Sequence, residues 1–158
     1  MDTSTAALLR QLLRAQRTAA LGTLRDGAPL VSMTLYLPAT DFSAFHIHVS
    51  ALAWHTQDMQ NDPRVSLLVA ATEGTSPADD PYSLPRLTLR ARASRLANDA
   101  PEHAVLRAAW LAKYPAQAVN FELADFSFWR LVPNDARFIA GYGRIMNLGP
   151  AELAAASA

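Results

Sequence analysis

Apolar positions along the chain change period several times, and each change marks an element. Leu8, Leu9, Leu12 and Leu13 recur at helical spacing between Arg10, Gln11 and Arg14, which predicts an amphipathic helix over 3–16 capped by Ser4 or Thr3. Thr18 to Leu24 and Leu30 to Leu37 read as two strands of a hairpin about Arg25-Asp26-Gly27-Ala28-Pro29, where Asp-Gly supplies the turn. In the second strand Val31, Met33, Leu35 and Leu37 are expected to face the core, and Ser32, Thr34 and Tyr36 to face water or a ligand. A third strand follows, with Phe45, Ile47 and Val49 alternating with His46 and His48. Two imidazoles on one strand face do not make a metal site without a third ligand, so this face is expected to be solvated or an interface.

Arg64 to Ala71 has the continuous apolar character of a buried strand, and Thr72 to Leu84 the Pro, Asp, Ser and Gly content of a loop. Arg86 to Leu96 alternates again. Leu87, Leu89, Ala91 and Ala93 share one face, and Arg86, Thr88, Arg90 and Arg92 share the other, which is either solvated and ion-paired or lines an anionic ligand. Asn98 or Asp99 is positioned to cap a helix with Pro101 in its first turn, ending at Tyr114 before Pro115. Phe126–Val132 and Ala136–Ala140 predict a last pair of strands about Pro133-Asn134-Asp135, followed by an irregular turn at Gly141-Tyr142-Gly143-Arg144. Short turns joining many strands predict an antiparallel barrel or curled sheet flanked by helices. A Rossmann fold is set aside because its glycine fingerprint is absent.

The richest segment is Ser50 to Val69. The third strand feeds a hydroxyl-bearing loop, a short helix begins near Trp54, and Asn61-Asp62-Pro63 ends it just before the next strand. Such a junction collects free backbone N–H groups and the positive end of a helix dipole, which suits a phosphate. Ser50, His55 and Thr56 bring further donors to the same place. Ser50 is either a ligand there or the cap of the helix.

Composition narrows the function classes. At 158 residues, with 51% hydrophobic residues, the chain reads as one globular domain over 1–148, with an alanine-rich tail over 149–158 expected to be frayed or disordered. A net charge of zero gives no electrostatic reason to bind nucleic acid or an anionic membrane. The absence of cysteine excludes disulfides, thiolate metal sites and cysteine nucleophiles, and suits a cytoplasmic setting. Neither a signal-peptide pattern nor a membrane-length apolar run is present.

Four stations stand in a recurring order: Gly27-Ala28-Pro29-Leu30-Val31-Ser32, the Ser50–Val69 segment, Pro85-Arg86-Leu87-Thr88-Leu89, and Phe138-Ile139-Ala140-Gly141-Tyr142-Gly143-Arg144. This set resembles the FMN-binding split-barrel proteins related to pyridoxamine 5′-phosphate oxidase. Lys113-Tyr114-Pro115-Ala116-Gln117-Ala118 and Ala124-Asp125-Phe126 look most like the haem-utilisation (HugZ-like) branch. The resemblance implies a mainly β (α+β) fold, a six-stranded antiparallel Greek-key split barrel with flanking helices, and a homodimer with FMN between the subunits. It implies that Val31, Ser32 and Met33 approach the flavin ring and ribityl chain, and that Ser50, His55 and Thr56 hold the phosphate. Arg86 is placed against the ring or the phosphate, and Arg144 enters late in the chain, from the same or the partner subunit.

Departures from the pattern qualify the activity. Ser32 and Leu37 stand where the vitamin B6 oxidases carry an arginine and a lysine, which argues against oxidation of pyridoxamine phosphate. Haem-degrading relatives use a histidine on a C-terminal extension, and no histidine follows His103 here. The expectation is an FMN-dependent oxidoreductase acting on a small substrate, with a non-catalytic flavin- or haem-binding or storage protein as the alternative. FMN is not separated from a deazaflavin by sequence. Met33, Tyr36, Trp54, Phe128 and Trp129 are candidate groups for a subunit interface, being too many large apolar residues for one small core.

Overall fold

The computed structural model describes residues 1–71 and 80–158. Helix α1 (Thr3–Ala15) starts at Asp2, whose carboxylate accepts from the Thr5 N–H at 2.8 Å, so the cap lies one residue earlier than Thr3. Leu9, Leu12 and Leu13 are buried. Strands β1 (Thr18–Arg25) and β2 (Ala28–Leu35) form the expected hairpin, with Asp26 and Gly27 both at positive φ, 52° and 79°, as a two-residue turn of this hand requires. Strand β3 (Leu37–Pro38) and β4 (Phe45–Ser50) follow, then α2 (Trp54–Asn61), β5 (Arg64–Ala70) and β6 (Arg86–Arg95). A 3-10 turn over Pro81–Ser83 is what is described of the predicted loop; residues 72–79 lie outside the described part. Helix α3 (Glu102–Lys113) and a 3-10 segment (Pro115–Glu122) lead into β7 (Phe126–Ile139), β8 (Ile145–Leu148) and α4 (Pro150–Ser157). Pro101 itself occupies the position before α3, and neither Asn98 nor Asp99 caps it.

Among the described residues eight strands make one antiparallel sheet in the order β2-β1-β5-β6-β7-β4-β3, with β8 on the far half of β7. It is a split barrel, because β2 and β3 remain edges. Two more strands form than the six expected, since β3 and β8 are too short to show a period. The predicted hairpin about Pro133 is a single 14-residue strand. Pairing slips at that point, from Arg90 opposite Asp135 to Ala91 opposite Pro133, and a bulge accommodates a residue that has no N–H to give the ladder. The alanine-rich tail is the ordered helix α4, with Leu153 and Ala156 buried in the main core.

One sheet face carries that core, built from Leu21, Leu67, Leu89 and Phe138 and closed by α1 and α4. The second strand departs from expectation at Val31 and Met33, Thr34 and Tyr36, while Leu35 and Leu37 do pack against a second, smaller core cluster. Thr34 and Tyr36 are buried, whereas Val31 and Met33 are 71% and 68% exposed. Hydrophobicity pointed one way, but the register puts Met33 beside Ala20, and Ala20 beside Leu68, on the outer face. Tyr36 enters the core because its hydroxyl finds the Leu13 carbonyl at 2.8 Å. His46 and His48 are also buried rather than solvated, because α3 and the 3-10 segment cover that side of β4. His48 stacks on Phe121 with ring centroids 4.1 Å apart. Tyr36, Phe128 and Trp129 are core residues; of the five interface candidates only Met33 and Trp54 are exposed.

Candidate functional site

The loop after β4 turns sharply into α2. The Ala53 N–H donates to the Ser50 carbonyl at 3.2 Å, and Ala53 becomes the N-cap residue, with no side chain capping the helix. Ser50 is therefore not the cap. Its hydroxyl donates to Asp125, just before β7, while its oxygen accepts the Leu52 N–H at 3.0 Å. The first turn of α2 then presents Trp54, His55 and Thr56.

α2 lies across the hairpin end of β1 and β2. His55 meets Ser32 there, with Nδ1 and Oγ 3.0 Å apart. When Ser32 donates to Nδ1, the ring proton sits on Nε2, which is buried with no partner. The Thr56 hydroxyl is likewise buried and unpartnered. Buried donors without acceptors are costly, so this turn favours an acceptor-rich group. Burial lowers the pKa of His55, and the carboxylate of Asp58 partly offsets it.

Asp58 anchors the next turn of α2. It is buried, accepts from the Thr23 hydroxyl at 2.8 Å and pairs with Arg25 at 3.0 Å. The Arg25 guanidinium lies 4.3 Å from the centroid of the exposed Trp54 ring. Arg25 is a cation beside the site that the sequence reading treated only as a turn residue. Its helical partner Asp58 lies 33 positions away, and no local spacing reveals the pair.

The predicted site residues fall into three groups. Ser32, His55 and Thr56 share the β2–α2 rim, joined through the loop to Ser50. Val31 and Met33 point outward, and Arg86 lies on that same outer sheet face, pairing with Ala70 and Ile139. Arg86 is held by the Tyr82 and Leu84 carbonyls at 3.0 and 3.2 Å. Arg144 stands apart, donating to the Thr5 hydroxyl of α1. A shallow groove of about 400 Å³ runs over the outer face of β2 and β1, with Ser32, Val31, Met33, Ala20 and Leu68 among its walls. That volume is within the range of small-molecule clefts. No group of three or more metal-ligating side chains occurs among the described residues, and no helix there is long and apolar enough to cross a membrane.

The sequence and the fold are similar to those of known proteins. Over 116 residues, 73% of this chain, the sequence is 32% identical to the chloroplastic non-canonical heme oxygenase HOZ of Arabidopsis thaliana, and the chain spans about a third (33%) of that relative's length. A heme-binding protein from Mycobacterium smegmatis superimposes with a TM-score of 0.84 at 30% identity, over 98% of this chain and 62% of that one. The heme storage protein HutZ of Vibrio cholerae shares the fold, with a TM-score of 0.70 at 23% identity over 79% of this chain and 87% of that one. Residues 6–140 match the pyridoxamine 5′-phosphate oxidase family, and with the split-barrel sheet and the strand–loop–helix rim in place, the chain belongs to that family.

Proposed function

We propose that this protein binds FMN across the edge of β2 and acts as an FMN-dependent oxidoreductase on a small substrate. The observation that carries the reading is the first turn of α2, where His55 Nε2 and Thr56 Oγ1 are buried without partners. A phosphate is rich in acceptors and suits both groups and the uncapped helix end. Ser32 fixes the imidazole, and the groove running outward over Val31 and Met33 offers a flat apolar wall for the ring system. Arg86 lies further along that face, where a cation favours the more negative reduced ring. Bound FMN would supply hydride or single-electron transfer. The protein's own part is to hold the cofactor, exclude water from the outer face and orient the substrate.

A second copy of the chain is the natural cover for that face. Val31, Met33 and Leu68 leave apolar surface in water, and covering Val31 and Met33, the more exposed two, offers up to about 1.5–3 kcal/mol each. An isologous pair would close two identical grooves at once.

A second reading, haem binding or storage, is favoured by the heme proteins at 30% and 32% identity. The same apolar groove would accept a planar macrocycle. The absorption spectrum and mass of the copurifying ligand decide between them. Flavin bands with the mass of FMN support the first reading, and a Soret band with the mass of haem supports the second.

A further inference from the structure

The geometry points to Asp125 as the residue that positions the phosphate-binding turn, although its carboxylate has the wrong sign to touch a phosphate. This inference rests on the proposed phosphate site. Asp125 closes the Ser50–Leu52 loop at two points. Its carboxylate accepts the Ser50 hydroxyl, and its backbone carbonyl accepts the Ala51 N–H at 2.8 Å. With its proton committed to Asp125, the Ser50 oxygen is free to accept the Leu52 N–H at 3.0 Å. The Ser50 carbonyl then receives the Ala53 N–H, and the Ala53 carbonyl receives the Thr56 and Gln57 N–H groups at 3.1 and 3.2 Å, which starts α2. An unbroken chain of hydrogen bonds thus runs from Asp125 to the turn that carries His55 and Thr56.

Asp125 is itself well anchored. Phe126 forms the first pair of the β7–β4 ladder, opposite Ser50, and its ring lies 5.4 Å from that of His48. Phe121, a few residues earlier, stacks on the same His48 ring with centroids 4.1 Å apart. The segment carrying Asp125 is therefore held at both ends by His48, two residues before Ser50 on β4. The acceptor role of Asp125 and its charge are separable. Asparagine retains a carbonyl oxygen for the Ser50 hydroxyl and removes a negative charge near the incoming phosphate, whereas alanine removes both.

The test is a set of dissociation constants for FMN and for riboflavin, which lacks the phosphate. They are measured on the full chain and on Asp125→Ala, Asp125→Asn, Ser50→Ala and the Asp125→Ala/Ser50→Ala double variant. Asp125→Ala and Ser50→Ala should each weaken FMN about tenfold, in keeping with loss of a charge-assisted hydrogen bond, and the double variant no further. Riboflavin affinity should be unchanged throughout, and Asp125→Asn should bind FMN at least as tightly as the parent. Wild-type FMN affinity in Asp125→Ala overturns the positioning role. So does equal loss of FMN and riboflavin, which marks a merely structural tie. A parent protein that binds riboflavin as tightly as FMN overturns the phosphate site itself, and the positioning role with it.

Discussion

Ser32 on the edge strand β2 and His55 on the first turn of α2 stand 3.0 Å apart, hydroxyl oxygen to Nδ1, although 23 positions separate them in sequence. This pair ties the strand that lines the groove to the helix beside it. It also leaves Nε2 as the imidazole nitrogen without a partner.

Replacing His55 with alanine should weaken FMN by about tenfold, the loss expected for a charge-assisted hydrogen bond. The exposed Arg95→Ala serves as the control and should bind as the parent does. Fluorescence-quenching titration measures both. Equal affinity in the two variants would remove His55 from the site.

His48 gives the fold a defined sensitivity to acid. Burial, helped by the positive charge of His103, lowers its pKa to about 4, while an unfolded histidine titrates near the ordinary 6.5. Between those values the unfolded chain binds the extra proton. The stabilising contribution is therefore complete above about pH 6.5 and is lost as pH falls toward 4. His48→Phe keeps the ring stack and removes the proton. Urea midpoints across this window should fall steeply for the parent and less for the variant; parallel profiles would contradict the assignment.

Much of this was legible in the sequence and some of it was not, for physical reasons. The Asp26-Gly27 turn and the strand–loop–helix order after Phe45 are local signals, and both were found. Val31 and Met33 were assigned to the core because they alternate with Ser32 and Thr34 as Leu35 and Leu37 do, and alternation does not say which face of an edge strand a core covers. His46 and His48 were read as a solvated or interface face because the cover over β4 comes from α3 and the 3-10 segment, more than 50 positions later. Pro133 suggested a turn, yet pairing to β6 on both sides of the bulge carries the strand through. Arg25 and Asp125 escaped notice as site residues because their partners are distant in sequence and close only in the fold.

The outer sheet face predicts its own disruption. Met33→Lys places a charge at the centre of the proposed subunit contact, where an obligate interface should bury at least about 2,000 Å². Sedimentation equilibrium should show the variant shifted from dimer to monomer, with FMN affinity reduced alongside. A variant that stays dimeric with full affinity would place the contact elsewhere.

The central claim, an FMN site completed by two copies of the chain, is tested most directly by sedimentation velocity of the purified protein followed at protein and flavin absorbance together. The account predicts that flavin moves with the dimer at one FMN per chain, and that the fraction of bound flavin falls as dilution releases monomer. Flavin held tightly by a sedimenting monomer, or a dimer that carries no flavin after reconstitution with FMN, would contradict it.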